Sequence, residues 1–127
     1  KLLGNSLLNR HELLEEFNTS IITVSLEDHE NFNIQKGDTE GLVNYNLSLT
    51  GVVFGVLFNE NEDMVKISFR SVGSFSVNEF ARNHFSGGGH ANAAGGKSEE
   101  NLQDTIERFK SLVIENKEEI KTKDEIN

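Results

Sequence analysis

Residues 52–58, Val-Val-Phe-Gly-Val-Leu-Phe, constrain this chain more than any other segment, because a run apolar at every position but one glycine has no side to give to water. Such a strand is buried on both faces, so the sheet that holds it needs cover on both sides. The next segment reads differently. From Met64 to Arg70, Val65, Ile67 and Phe69 alternate with Lys66, Ser68 and Arg70, which gives a strand with one apolar face and one cationic row. Ile21 to Leu26, rich in β-branched residues, predicts a third strand, and Glu27 to Asn33 a short helix or turn.

Helices are marked by their ends. After the turn signal Lys36-Gly37-Asp38, Asp38 caps a helix through Asn46 that Gly51 closes, with Leu42 and Val43 inward. Ser76-Val77-Asn78-Glu79 has the form of a capping box, followed by Val77, Phe80, Ala81 and Phe85 on one helical face. Ser98 caps a final helix that turns Leu102, Ile106, Phe109 and Val113 inward. The expected class is α+β, a mixed β-sheet flanked by helices.

The organisation follows from the same pattern. Leu2, Leu3, Leu7 and Leu8 form a helical stripe, extended by Leu13, Leu14 and Phe17, which reads as a linker helix over residues 1–19 of a chain cut from something longer. An exposed stripe of this kind seeks a partner, and a homodimer is one expectation. Residues 20–115 form the domain, and the charged stretch 116–127 is expected to fray.

Composition excludes several classes. With no cysteine there is no disulfide and no thiolate-bound metal, and no segment approaches the ~18 apolar residues of a membrane span. A cytoplasmic domain without membrane contact is the expectation. A net charge of −9 argues against coating nucleic acid by general electrostatics. Yet between Lys66 and Lys97 the chain places Lys66, Arg70, Arg82 and Lys97 against the single acid Glu79. A basic island in an acidic body suits a confined phosphate or carboxylate ligand.

Within that island, Ser-Gly-Gly-Gly-His-Ala-Asn-Ala-Ala-Gly-Gly-Lys-Ser at 86–98 holds five of the eleven glycines. Gly96-Lys97-Ser98 imitates the end of a Walker loop, but Ala91 stands where the loop needs its first glycine, and Asn92 breaks the dinucleotide-binding fingerprint. A flexible linker does not fit between two capped helices. What remains is a turn in which Gly87 to Gly89 admit close approach of a ligand, Ala91 to Ala94 offer the free amides of a helical turn, and His90 donates to phosphate beside the fork of Arg70. Asp28-His29-Glu30 offers metal-binding side chains, but no second cluster completes a shell, and a solvated helix start is the better reading.

The segments Val-Lys-Ile-Ser-Phe-Arg-Ser (65–71) and Val-Asn-Glu-Phe-Ala-Arg-Asn-His-Phe-Ser-Gly-Gly-Gly-His-Ala-Asn-Ala-Ala-Gly-Gly (77–96) resemble the type 1 DHH-associated domain. This is the carboxy-terminal, substrate-binding domain of DHH-family phosphoesterases, and residues 36–58 resemble its nanoRNase and pAp-phosphatase branch, also labelled RecJ-like or exopolyphosphatase-related. The resemblance implies that Arg70, Ser71, Gly87, Gly88, Gly89, His90 and Asn92 bind a nucleotide or short oligonucleotide. It also implies that an upstream DHH domain of the same polypeptide holds manganese and the catalytic residues, with no catalytic or metal-binding residue in this chain. Implied substrates are short oligoribonucleotides, pAp or dinucleotides. The alternative is a non-catalytic RNA-binding, tRNA-binding or nucleotide-sensing module, because a related domain occurs in alanyl-tRNA synthetases.

Overall fold

The computed structural model describes residues 11–120. Six strands form one mixed sheet: β1 (His11–Leu14), β2 (Thr19–Val24), β3 (Phe54–Glu60), β4 (Val65–Ser71), β5 (Gly88–His90) and β6 (Ala93–Ser98), in spatial order β1-β2-β3-β4-β6-β5. Among the described residues only β2 and β3 pair in parallel. Parallel neighbours need a crossover, and α1 (Leu26–Asn31) with α2 (Lys36–Ser48) supplies it. Two further helices, α3 (Val77–His84) and α4 (Leu102–Glu115), complete the α+β fold expected from the sequence.

β3 is the buried centre, as its apolar run requires, and its two faces feed two cores. On one, Phe54, Val56 and Phe58 join Val65, Ile67 and Phe69 of β4 beneath α3 and α4. Seven of the nine phenylalanines are buried there and Phe17 packs against them, with ring centroids 5.2 Å apart for Phe54 and Phe80 and 5.5 Å for Phe54 and Phe109. On the other face Leu57 meets Ile22, Val24, Leu42 and Val43 under α2, with Phe32 and Ile34 at its margin.

A buried polar chain fastens α2 to the sheet. Asn46 donates through Nδ2 to the carbonyl of Val56 (3.0 Å) and accepts at Oδ1 from the Ser20 hydroxyl (2.6 Å), while His11 Nε2 lies 2.6 Å from Ser20 Oγ. Gly55 makes the approach feasible, since a Cβ there would stand 2.7 Å from the Cβ of Asn46. Asn46→Ala strips two buried partners of their bonds at once, so it is expected to cost about 2 kcal/mol in denaturant unfolding, with binding by the folded protein unchanged.

Local expectations needed correction where a neighbouring strand or helix outweighed a short-range signal. Leu13 and Leu14, expected in the linker helix, lie in strand β1 paired with β2, and Glu15–Phe17 is a single 3-10 turn. Residues 1–10, including the leucine stripe Leu2, Leu3, Leu7 and Leu8, lie outside the described residues, as do 121–127. Gln35 rather than Asp38 caps α2, and Asp38 Oδ2, inside the first turn, accepts from the Gln35 amide. Asn101, not Ser98, caps α4, because Ser98 is held at the end of β6. Residues 116–120 do not fray: Ile120 is buried in the phenylalanine core and its carbonyl accepts from Asn18 Nδ2 at 3.2 Å.

Candidate functional site

The glycine-rich segment is a β-hairpin. α3, capped by Ser76, ends with the amides of Phe85 and Gly87 both on the carbonyl of Ala81, and Ser86 between them at φ +52°. The chain then runs out as β5, turns at Ala91-Asn92 and returns as β6 between β5 and β4. The helical turn expected at Ala91–Ala94 is therefore not formed, since β6 satisfies its backbone by pairing on both sides. The turn is tied to the rest of the domain through its carbonyls, Ala91 accepting from the Val77 amide at 2.8 Å and Asn92 from the Ser71 amide at 3.1 Å, and the Gly89 amide is taken by Asn78 Oδ1 at 2.9 Å.

Steric need explains two of the glycines directly. A Cβ on Gly87 would sit 1.9 Å from the Gly95 carbonyl oxygen. Gly89, at φ +157°, would place one 2.8 Å from the Ala93 carbonyl. Ser71 and Asn92, both expected to touch substrate, are occupied in holding the turn. Asn92 Nδ2 donates to Ser71 Oγ (2.9 Å) and to the Gly73 carbonyl (3.2 Å), and the buried Ser71 hydroxyl donates to the Phe75 carbonyl at 2.7 Å.

Register brings the remaining residues together. Arg70 of β4 pairs with Ala93 of β6, and Ala93 with His90 of β5, so the three form one row on one face of the sheet. Two strand spacings separate Arg70 from His90, about 10 Å between backbones. The same face carries Lys66 and Ser68 on β4, Gly95 and Lys97 on β6, and Gly88 on β5. α1 and α2 cover this face over β2 and β3, whereas Lys66, Gly95, Lys97 and His90 stand exposed. The result is a floor of glycine and alanine with cations along its ends, including a depression of about 550 Å³ lined by Lys66, Ser68, Ser86, Gly88, Gly95 and Lys97. Arg70 is half-buried and steadied by a bond from Nη1 to its neighbour's carbonyl, Phe69, at 2.9 Å. Arg82, part of the basic island in sequence, lies on α3 and reaches Asn78.

Such a surface can bind a flat, phosphate-bearing molecule, the planar guanidinium gripping two oxygens and the imidazole donating a third bond. Among the described residues no three histidine, cysteine or acidic side chains gather as a metal site. Asp28, expected at a solvated helix start, is fully buried and caps α1 with Ser25, while His29 pairs with Asn59 Oδ1 at 2.7 Å.

Comparison with known proteins gives a consistent picture. The DHHA1 domain model matches residues 11–116. No curated protein matches the sequence. Among solved structures, an exopolyphosphatase-related protein from Bacteroides fragilis superposes with a TM-score of 0.86 at 34% identity, over 91% of this chain and 34% of its own. A pGpG-specific phosphodiesterase, PggH, from Vibrio cholerae gives 0.59 at 12% identity, over 90% of this chain and 37% of its own. The C-Ala domain of Aquifex aeolicus alanyl-tRNA synthetase gives 0.56 at 12% identity, over 81% of this chain and 96% of its own. The last two likenesses concern the fold alone. The chain thus spans about a third of the length of the first two proteins.

Proposed function

Because the chain belongs to the DHHA1 domain family, the DHH-associated domains, we propose that it holds the substrate of a DHH-family phosphoesterase acting on short oligoribonucleotides, pAp or dinucleotides. The observation that carries this reading is the Arg70–Ala93–His90 row on the uncovered half of the sheet. Arg70 grips the phosphate in two places and His90 donates to the same group, both set by strand register before the ligand arrives. The alanine and glycine floor gives a base or ribose room to lie against the backbone. The chain's net charge of −9 discourages long polyanions, so short substrates are favoured.

In this reading the cleavage step belongs to a preceding domain of the same polypeptide, which supplies the manganese ligands that the described residues do not assemble. The chain alone is expected to leave pAp intact in the presence of manganese, and its fusion to that domain to hydrolyse it. Turnover that copurifies with the chain and disappears in a point variant of it would contradict this.

Calorimetric titration with pAp, with 5′-phosphorylated diadenylate and with tRNA tests the binding claim. The expected result is binding of the two small ligands in preference to tRNA. Binding of tRNA without the small ligands would favour the RNA-binding module, whose fold the C-Ala domain shares. Binding of none would leave the row a structural feature.

A further inference from the structure

The open face has a second cationic end that the Arg70–His90 row does not use. Lys66 and Lys97 are direct cross-strand partners on β4 and β6, on the same face as Arg70. Like charges set opposite each other in an antiparallel pair repel. Among the described residues neither lysine has a carboxylate within ion-pair distance, although the chain is strongly acidic. The fold thus sets two lysines opposite each other with no ion pair to either among the described residues, four residues along β4 from Arg70, or about 13 Å by strand rise.

A second observation points to the same place. Ser86 follows the C-terminal residues of α3 in left-handed conformation, φ +52°, with the Gly87 amide bonded back to Ala81. That position in a helix stop favours glycine, and serine is strained there. Ser86 brings a hydroxyl to the depression that also contains Lys66, Ser68 and Lys97 over Gly88 and Gly95.

We infer that Lys66, Lys97 and Ser86 form a second phosphate subsite, which holds the phosphate of a nucleotide further along a short strand whose first phosphate lies at Arg70 and His90. This inference rests on the substrate-holding reading above. It gives the domain a way to prefer oligonucleotides of more than one residue over a mononucleotide. The two ammonium groups act as point charges and need no fixed fork, which suits a phosphate whose position varies with the base between.

The test is titration of the chain with 5′-phosphorylated oligoadenylates of one to four nucleotides at several salt concentrations. The wild-type protein is expected to gain about tenfold in affinity when the strand becomes long enough to reach the second end. The double variant Lys66→Gln/Lys97→Gln should bind the mononucleotide as before, lose that gain, and show a salt slope shallower by about 0.7 for the phosphate released. Ser86→Gly should melt no lower than the wild type and lose part of the same gain. Unchanged length dependence in the double lysine variant, with Arg70→Ala still weakening every ligand, would overturn the subsite and leave the first reading standing. Failure of the wild-type protein to bind any of the oligoadenylates would overturn both.

Discussion

Replacing Gly87 with alanine is expected to cost about 3 kcal/mol of stability and to abolish phosphate binding, although the change adds a single methyl group. The methyl would have to occupy a point 1.9 Å from the Gly95 carbonyl oxygen and 2.7 Å from the Gly96 Cα. Both obstacles are backbone, and β6 is pinned between β4 and β5, so no side chain can swing away. β5 must then separate from β6, and with it goes His90. Gly41→Ala is the control. Gly41 lies inside α2, has an ordinary helical φ and nothing within 4 Å of its would-be Cβ. There alanine should add up to about 1 kcal/mol through helix propensity. Urea denaturation of the two variants checks both signs, and equal effects would mean that β5 tolerates displacement.

Arg70→Ala and His90→Ala should behave in the opposite way, leaving the fold intact and removing recognition. His90 is exposed and Arg70 contributes only one bond to its own strand's backbone, so neither variant should move the melting temperature by more than a degree or two. Each loses a bond to a charged oxygen, on the order of 1.5 to 3 kcal/mol, which is roughly a tenfold to hundredfold loss in affinity for pAp. In the enzyme that includes the metal-binding domain, the same loss should appear in kcat/KM. Arg70→Lys should recover part of it, because the charge remains but the two-point grip does not. A fully active His90→Ala would return the glycine-histidine segment to a purely structural role.

How much of this was legible beforehand depends on the range of the interaction concerned. The centre of the sheet was plain, since the run at 52–58, apolar but for Gly55, and a strict alternation at 64–70 each have one good solution. The amphipathic helices after Ser76 and through Phe109 were equally plain. The hairpin at 88–98 was not. Gly95 and Ala93 have low strand propensity, and they extend only because β4 and β5 offer partners on both sides. For the same reason Ser98 imitates a helix cap while closing a strand, and Leu13 and Leu14 imitate a helix while pairing with β2. At the site, composition singled out Arg70 and His90, but not that Ala93 lies between them or that Lys97 faces Lys66. Those facts follow from register, which no local pattern encodes. Nor could sequence tell that Ser71 and Asn92 spend their hydrogen bonds on each other and on the loop behind them.

The most direct measurement of the central claim is an amide chemical-shift map of the chain titrated with 5′-phosphorylated diadenylate. The expected result is a set of shifts confined to one face and one end of the sheet, at Lys66, Ser68, Arg70, His90, Ala93, Gly95 and Lys97, while α4 and the outer surface of α3 stay unchanged. Shifts that cluster instead around α3 and the turn at 116–120, where Ser74, Asn83, His84 and Glu119 line a separate cavity of about 470 Å³, would contradict it. They would place recognition on the helical side of the sheet.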